Sequence, residues 1–414
     1  MASLKPVRGT HDLLPWAMRT HLSVIGHARD VAERYGFEEM ATPIFESSDV
    51  FRRTLGDTSD IVTKEMYTFT TKGGEEITLR PENTAGVARC FISEGLAQSK
   101  PLKFFYAGPM FRHERPQKGR LRQFHQIGIE TIGVAGPQAD IEIIAAGARI
   151  LSELGLQGKT VLQLNTLGDP ESRSVYREAL VAYFTKRVDG LSQESRDRLN
   201  RNPLRILDSK NEGDQRIVAD APSFTNHLNE ESRSFFEQVQ EGLTALGIAF
   251  ELNERLVRGL DYYGHTAFEF TTTELGAQDA VMAGGRYDGL IETMGGPKTP
   301  GVGWAAGVER LAMMCGDPPP VRRPVALVPL GAAAEARAFV LAEELRASGL
   351  RVDVGFSGNL GRRMKRADRM NAAAAVLIGE DELAKDVATV RDMDGGEQEE
   401  VPLGALRERL SGYL

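Results

Sequence analysis

The stretch that decides the fold is Phe111-Arg112-His113-Glu114-Arg115-Pro116-Gln117-Lys118-Gly119-Arg120-Leu121-Arg122-Gln123-Phe124-His125-Gln126. It carries five basic side chains against one acidic side chain, and strand-like runs flank it at Lys103–Phe111 and Phe124–Gly133. Two antiparallel strands joined in this way aim Arg112 and the aromatic ring of Phe124 at one nucleotide, because arginine forks bind phosphate oxygens in two-point geometry. A plain solvent loop is the alternative, and the two flanking strands disfavour it.

The surrounding patterns predict a mainly antiparallel sheet flanked by helices. The elements predicted around the basic stretch are a helix over Pro15–Tyr35, an edge strand over Phe37–Ile44, a hairpin of Met66–Thr71 with Ile77–Leu79, and helices over Asn83–Gly95 and Pro137–Leu154. The chain turns helical and polar from about residue 166 to 246, and strands return at Ala249–Asn253, Thr266–Thr271 and Asp279–Ala283. We therefore predict a helical insertion over about 168–246 within the sheet domain.

A second domain is predicted after the linker Gly316–Pro320. Strand and helix patterns alternate there, at Val325–Pro329, Glu335–Ser348, Arg351–Phe356, Gly361–Met370 and Ala373–Ile378. This alternation predicts a small mixed α/β domain with some parallel pairing. The expected division is 1–320 and 321–414, and the second domain carries a basic cluster of Arg362, Arg363, Lys365, Arg366 and Arg369.

The overall composition excludes several classes of protein. A net charge of −8 over 414 residues argues against a non-specific coat for nucleic acid, although it allows local basic patches. No stretch approaches the roughly 20 apolar residues of a membrane span, and the first residues lack a signal pattern, so a cytoplasmic location is expected. Cys90 and Cys315 are too few for a disulfide framework. The seven histidines lack the i, i+4 spacing of a metal-binding helix, so no structural metal is expected.

The basic stretch resembles motif 2 of class II aminoacyl-tRNA synthetases in its histidyl form. Other family segments follow in order along nearly the whole chain. Each of six further segments resembles one part of the family pattern. They are Gly36–Pro43 (motif 1), Leu79–Ala85 (the amino-acid loop), Asn202–Lys210 (part of the insertion), Leu256–Tyr263 (the histidine signature), Ala283–Leu290 (the companion of that signature) and Gly301–Leu311 (motif 3). The resemblance implies ATP-dependent activation of L-histidine to histidyl-adenylate, transfer to the 3′ end of tRNA, and a C-terminal anticodon-binding domain.

The resemblance also implies a binding site for histidine. Glu82, Thr84 and Gln126 are expected at the ammonium group and neighbouring polar atoms, where a carboxylate beside an ammonium is a strong charge-assisted pair. Glu130 and Tyr263 are expected at the two ring nitrogens, with Tyr262 lining the pocket. A site that bonds both imidazole nitrogens rejects analogues that lack them. Without the neighbouring signature, core packing would be the plainer interpretation of the two tyrosines.

Arginines are expected to hold ATP. The resemblance places Arg258 at the α-phosphate and at the substrate carboxylate, and Arg112 on the other side of that phosphate, as the two catalytic residues. Arg120 and Arg310 are expected near the β- and γ-phosphates, and Phe124 is expected to stack on the adenine. Mg²⁺ is implied together with ATP.

The expected macromolecular partners are tRNA and a second copy of the chain. Arg115 and Gln117 are candidates for contact with the acceptor end of tRNA, and Arg362 and Arg363 for contact with the anticodon. Such cations give phosphate contacts that depend on salt. The resemblance implies a homodimer formed through motif 1, for which Phe37–Pro43 supplies an edge strand.

One position departs from the family pattern. Asn83 stands between Glu82 and Thr84, where the family usually has glycine. Asparagine tolerates a left-handed backbone better than most residues, so we expect a left-handed turn there. Ordinary dihedral angles at Asn83 would weaken the assignment of Glu82 and Thr84.

Three other interpretations stay open at the level of sequence. A non-catalytic regulatory relative that senses histidine typically lacks the terminal domain and the phosphate-binding arginines, whereas this chain keeps Arg112, Arg258 and Arg310. Another class II ligase, such as a prolyl or threonyl enzyme, is disfavoured by Arg258–Tyr263 and Ala283–Leu290. A stand-alone nucleic-acid-binding protein is disfavoured by the net negative charge.

Overall fold

The computed structural model describes residues 4–55, 61–207, 209–257, 262–276 and 280–413. The chain divides into two compact units between Pro318 and Pro319. Among the described residues, no helix combines the length and the apolar character needed to cross a membrane.

Strands of the first unit form an eight-stranded and a three-stranded sheet. They are β1 (Glu38–Glu39), β2 (Phe45–Ser47), β3 (Tyr67–Thr70), β4 (Glu76–Leu79), β5 (Leu102–Phe111), β6 (Gln123–Ile132), β7 (Val161–Thr166), β8 (Glu251–Leu252), β9 (Gly264–Thr271), β10 (Ala280–Arg286) and β11 (Gly301–Gly307). Helices of this unit are α1 (Pro15–Arg34), α2 (Ser48–Leu55), α3 (Thr84–Ser93), α4 (Gln138–Glu153), α5 (Pro170–Thr185), α6 (Gln193–Arg201), α7 (Glu212–Val218), α8 (Glu230–Ala245), α9 (Leu290–Thr293) and α10 (Val308–Met314).

The large sheet has the order β1-β5-β6-β11-β10-β9-β7-β8. Its six central strands pair antiparallel, while β1 and β8 pair parallel at the two edges. The predicted antiparallel sheet is therefore confirmed. The edge strand β1 is only two residues long, which is shorter than the predicted Phe37–Ile44. The strands β2 and β7 were not predicted.

Helices α1, α4, α8 and α10 contribute the side chains that form the main core with the large sheet. Trp304 on β11 is its largest fully buried side chain, and its indole N–H donates to the backbone carbonyl of Ile143 on α4 at 2.9 Å. Truncating such a tryptophan to alanine costs about 3–5 kcal/mol. This core holds the central strands, which carry Phe124 and Gln126 of the site described below and flank the loops that carry other site residues.

The segment between β7 and β8 is helical, with a core of its own around Tyr176, Leu180 and Phe184. Its helices begin where polar side chains cap free backbone N–H groups. Asp169, Ser192, Asn211 and Asn229 accept such bonds at α5, α6, α7 and α8.

The second unit contains β12 (Val325–Pro329), β13 (Val352–Val354), β14 (Ala374–Ile378), β15 (Val387–Asp392), β16 (Gln398–Pro402), α11 (Ala332–Ala347), α12 (Leu360–Arg369), α13 (Glu380–Ala384) and α14 (Leu406–Leu410). Its sheet has the order β13-β12-β14-β15-β16. The first three of these strands pair parallel and the last two pairings are antiparallel, as expected for a mixed domain. The hairpin of β15 and β16 was not predicted.

Candidate active site

A cavity of about 870 Å³ opens in the first unit, bordered by the β5–β6 hairpin, β9 to β11, the loop before α3 and the helical segment. Its lining brings together residues that are far apart in the sequence. The predicted site residues that border it are Glu82, Thr84, Arg112, Arg120, Phe124, Gln126, Tyr262, Tyr263 and Arg310. A volume of this size is sufficient for an amino acid and a nucleotide together.

The β5–β6 hairpin places an arginine over an aromatic ring at one end of the cavity. Phe124 and Gln126 alternate with His125 on β6, so both face the cavity while His125 points to the other side. Arg112 follows the end of β5, and its guanidinium carbon lies 5.3 Å from the centroid of the Phe124 ring. The Arg112 Nε donates to the carbonyl of Pro81 at 2.8 Å, which fixes the direction of the side chain.

The tip of the hairpin brings two more arginines to the same wall. Gln117 and Arg120 exchange backbone hydrogen bonds of 3.1 and 2.9 Å across a turn in which Gly119 has a φ of +72°. The Nε of Arg310 donates to the carbonyl of Gly119 at 3.1 Å and ties α10 to the tip. The buried carboxylate of Glu114 lies 2.5 Å from Arg120 Nε. Three guanidinium groups around one cavity suit an anion with several phosphates.

The loop before α3 supplies a buried carboxylate close to Arg112. Each oxygen of Glu82 accepts a backbone N–H, from Thr84 at 2.7 Å and from Ala85 at 2.9 Å. Burial raises the pKa of Glu82, while these hydrogen bonds and the charge of Arg112 oppose the shift. A bound cation such as an ammonium group would favour the charged carboxylate further.

Gln126 adds a hydrogen-bond acceptor to the lining of the cavity. Its Oε1 is buried, and none of the described residues donates to it. Buried polar atoms in native proteins nearly always have a partner, so an acceptor without one beside a cavity points to a donor on a ligand.

Glu130 lies behind the cavity wall. It is fully buried and does not border the cavity. Its carboxyl oxygens accept hydrogen bonds from the hydroxyls of Thr84 at 2.6 Å, Tyr287 at 2.6 Å and Tyr106 at 3.4 Å. Burial is the main cause that raises the pKa of Glu130 to about 8. The contact of Glu130 with a ring nitrogen stays a prediction, and Thr84, which borders the cavity, joins Glu130 to the cavity wall through its hydrogen bond.

Sequence reasoning assigned no role to Tyr287 or Tyr106. The available signal for Tyr287 was its place in the Ala283–Leu290 segment, and β10 carries it to Glu130. The neighbouring Arg286 forms a fully buried ion pair with Asp140 on α4, and it also donates to the carbonyls of Val134 and Gly136. This pair fixes the end of β10 and therefore the position of the Tyr287 hydroxyl.

The left-handed turn expected at Asn83 is wrong. Its φ and ψ are −115° and −15°, because the carbonyl of Asn83 accepts the first backbone bond of α3 from Val87. The Asn83 side-chain oxygen accepts from the Thr42 hydroxyl at 2.6 Å and from Arg80 at 3.2 Å. The side chains on either side still border the cavity, so the ordinary dihedral angles do not remove them from the site.

The remaining predicted residues lie elsewhere. Arg258 lies outside the described residues. Arg115 and Gln117 are exposed near the hairpin tip and do not border the cavity. Arg362 is exposed on α12.

The predicted contact of Arg363 with the anticodon is not supported, because the Arg363 side chain is only 5% exposed. It donates to the carbonyls of Gly355 and Gly358 and pairs with Glu335 at 2.6 Å. These bonds give Arg363 a structural role inside the second unit, in place of the predicted contact with tRNA.

The antiparallel sheet, with a basic hairpin beside a cavity that offers several arginines and a buried carboxylate, defines the catalytic domain of a class II aminoacyl-tRNA synthetase. The family model for histidyl-tRNA synthetase matches residues 9–311, and the model for an anticodon binding domain matches residues 324–412. The chain belongs to the histidyl-tRNA synthetase family.

Relatives match over the whole length of the chain. The histidine–tRNA ligase of Rhodospirillum rubrum is 63% identical and covers 100% of both chains. That of Gluconacetobacter diazotrophicus is 55% identical over 100% of this chain and 99% of its own. The crystal structure of apo histidyl-tRNA synthetase from S. aureus superposes with a TM-score of 0.83 at 35% identity, covering 98% of this chain and 99% of its own. These matches favour a ligase over a regulatory relative.

Proposed function

We propose that the chain activates L-histidine with ATP and ligates it to tRNA(His). In the first step a carboxylate oxygen of histidine attacks the α-phosphorus of ATP, and pyrophosphate leaves. In the second step a ribose hydroxyl at the 3′ end of tRNA attacks the carbonyl carbon of the adenylate, and AMP leaves. The supporting observation is that one cavity holds Glu82 and Gln126 together with Arg112, Phe124 and Arg310.

Histidine would bind with its ammonium group at Glu82 and Gln126. Its imidazole would then point to Tyr263 and to the Thr84 hydroxyl, behind which Glu130 lies at 2.6 Å. Tyr262 borders the same part of the cavity, where its ring lies 4.6 Å from the Tyr263 ring. A pocket built to bond a polar ring rejects an apolar ring of similar size by leaving its own buried groups unpaired.

ATP would bind at the arginine end of the cavity. Phe124 offers the ring for stacking on adenine, and Arg112 lies over that ring, next to the Glu82 carboxylate. Arg120 and Arg310 would meet the outer phosphates, with Mg²⁺ arriving as part of the nucleotide substrate. Charge placed in advance around a reacting phosphate is the main source of catalysis in such transfers. We keep Arg258 as a second catalytic residue on the strength of its sequence context.

Contacts with tRNA would involve both units. Arg115 and Gln117 are exposed on the hairpin loop and are proposed to meet the acceptor end. In the second unit Arg362 is exposed on α12, and the ring of Phe356 is 72% exposed and stacked on Phe339. Exposed cations and exposed aromatic rings are both typical of surfaces that bind unpaired bases.

A homodimer and a cytoplasmic location complete the proposal. The parallel strand β1 lies at one edge of the large sheet, where a second copy can approach it. Charged tRNA is used by protein synthesis in the cytoplasm, so the enzyme is expected there. Sedimentation of the purified chain at micromolar concentration tests the dimer.

The test of the proposed function is exchange of radiolabelled pyrophosphate into ATP. Histidine should support the exchange, while proline and threonine should not. Transfer of radiolabelled histidine to a tRNA transcript should then follow. Absence of histidine-dependent exchange would favour the regulatory interpretation, and exchange driven by proline or threonine would indicate another ligase.

A further inference from the structure

Three potential metal ligands meet on the side of β6 that faces away from the cavity. They are His21 from α1, His125 from β6 and Glu309 from the first turn of α10. One ligand atom from each lies within 4.8 Å of the others. No regular spacing along the chain reveals this group, because its members come from three separate elements.

Hydrogen bonding accounts for only part of the arrangement. The Glu309 carboxylate accepts the backbone N–H of His125 at 2.9 Å and also lies 2.9 Å from its ring Nδ1. His21 is 6% exposed, and its ring meets His125 edge-on at 5.6 Å between centroids. Within the described part of the chain, no hydrogen bond involves a ring nitrogen of His21. In the neutral ring of His21 one nitrogen therefore keeps a lone pair that can bind a metal ion.

We propose that His21, His125 and Glu309 form a binding site for a transition-metal ion of the Zn²⁺ class. Two imidazoles and one carboxylate are a common ligand set for zinc, with a fourth position left to water. Bonds of about 2.1 Å in a tetrahedron bring ligand atoms to roughly 3.4 Å from one another. A pair at the 4.8 Å limit would close by at most about 1.4 Å, whereas His125 Nδ1 and the Glu309 oxygen, now 2.9 Å apart, would separate slightly.

The surroundings fit such an ion. The bond from the His125 backbone holds Glu309 in place, as groups behind a metal ligand usually do. Glu309 is also among the residues that border the large cavity.

An ion at this site would affect the ATP-binding part of the cavity through residues that neighbour its ligands in the sequence. His125 lies between Phe124 and Gln126, and Glu309 precedes Arg310. Drawing the ligands together would pull on the strand and the helix that carry these groups, and a misplacement of about 1 Å near a reacting group can cost about 100-fold in rate. The site therefore acts as an inhibitory one, in which the ion raises the KM for ATP. This consequence, unlike the binding itself, rests on the proposed function.

Metal binding can be measured without any assay of activity. Titration of the full chain with Co²⁺, followed by its visible absorption, and with Zn²⁺, followed by calorimetry, should show one ion per chain. His21→Gln should weaken binding at least tenfold, and His125→Gln should do the same. The matched control is His27→Gln, an exposed histidine on the same helix, which should bind as the unsubstituted chain does. Equal binding by all variants, or a sulfur-to-cobalt absorption band from Cys90 or Cys315, would overturn the site.

The inhibitory effect needs the exchange reaction. Zn²⁺ should raise the KM for ATP at least tenfold in the unsubstituted chain and in His27→Gln, and less than twofold in His21→Gln. Comparison of His21→Gln with His27→Gln also controls for Zn²⁺ that binds ATP or pyrophosphate in solution, because that effect would be the same in both. Binding without inhibition would overturn the coupling to ATP. Loss of exchange in all metal-free proteins would contradict the ligase proposal, while the titrations would still decide the metal site.

Discussion

The hydroxyl of Thr84 donates to Oε1 of Glu130 at 2.6 Å, and this bond joins the wall of the cavity to a carboxyl that has no exposure to solvent. Tyr287 donates to the other oxygen at 2.6 Å. The wall that is proposed to meet the imidazole is thus held from behind by a polar network that is closed to water. Such networks specify one arrangement of a site when every member is satisfied.

Thr84→Val should raise the KM for histidine by about tenfold or more, because loss of a hydrogen bond to a group that can carry charge costs about 1.5–3 kcal/mol. Thr84→Ser keeps the hydroxyl and should stay within about threefold of the unsubstituted chain. Histidine-dependent pyrophosphate exchange measures both. Equal KM values for the valine and serine variants would contradict a role for this hydrogen bond.

Glu130→Gln should change how stability depends on pH. Burial raises the pKa of Glu130 from 4.5 to about 8, so between these values the folded state keeps a proton that the unfolded state has lost. The stabilisation is complete below the lower value and is lost as pH rises through the higher one, at about 1.4 kcal/mol per pH unit. A glutamine at position 130 resembles the protonated carboxyl and cannot ionise, so the free energy of unfolding of the variant lacks this dependence on pH.

The measurement is urea unfolding of both proteins at several pH values. Trp16 and Trp304, the two tryptophans of the chain, belong to the first unit, so their fluorescence reports on the unit that contains Glu130. The glutamine variant should gain stability relative to the unsubstituted chain as pH rises from 5 to 8, by up to about 4 kcal/mol. A difference in free energy of unfolding that stays constant over this range would show that Glu130 is already ionised in the folded chain.

The sequence predicted the long antiparallel hairpin and the residues that border the cavity. Strand periodicity marks β5 and β6 clearly, and a basic run held between two such strands is seldom a plain solvent loop. The helix starts were also readable, because Pro15 and Asp169 are ordinary N-terminal signals. The short strands β2 and β15 carry no period of their own, and tertiary pairing decides them.

The features of the site that the sequence did not predict have a common physical cause. Whether a side chain is buried behind the cavity wall, and which partner it meets there, depends on elements that are distant in sequence. The hydrogen bond from Tyr287 to Glu130 is an example. The burial of Arg363 likewise depends on carbonyls of the loop before α12 and on Glu335 of α11. Local pattern placed both Arg362 and Arg363 of α12 on a basic face, whereas only the packed structure separates the buried Arg363 from the exposed Arg362.

Arg112→Ala should lower the rate of pyrophosphate exchange by about 100-fold or more, since one preorganised donor at a reacting group contributes about 2.7–4 kcal/mol. The effect should fall on kcat more than on the KM for histidine. Arg115→Ala is the matched control, because Arg115 is exposed on the same hairpin and does not border the cavity. It should spare exchange and raise the KM for tRNA. Equal losses in the two variants would indicate a general effect of hairpin charge.

Arg258→Ala should fold normally and lose at least about 2.7–4 kcal/mol of stabilisation in the activation step. The family resemblance of its sequence segment implies a position at the α-phosphate, opposite Arg112. Arg258→Lys keeps a charge without the two-point geometry and should recover only part of the rate. Near-normal exchange in the alanine variant would remove Arg258 from the catalytic residues.

Arg362→Glu should weaken binding of tRNA and leave histidine-dependent exchange unchanged. Replacing a phosphate contact reduces the slope of log Kd against log salt by about 0.7–0.9, so the two proteins should differ most at low salt. The exposed position of Arg362 predicts little change in stability.

Arg363→Glu is the structural counterpart in the same helix. It would place a carboxylate against Glu335 and the carbonyls of Gly355 and Gly358, where Arg363 now donates. Loss of bonds to buried acceptors costs about 1–3 kcal/mol each, which corresponds to a fall in Tm of at least about 5 °C for a unit of this size. Calorimetry resolves this transition, which tryptophan fluorescence does not, because the second unit has no tryptophan. If Arg363→Glu keeps its Tm and weakens tRNA binding as much as Arg362→Glu does, then the two arginines both face the RNA and the burial of Arg363 is not maintained in solution.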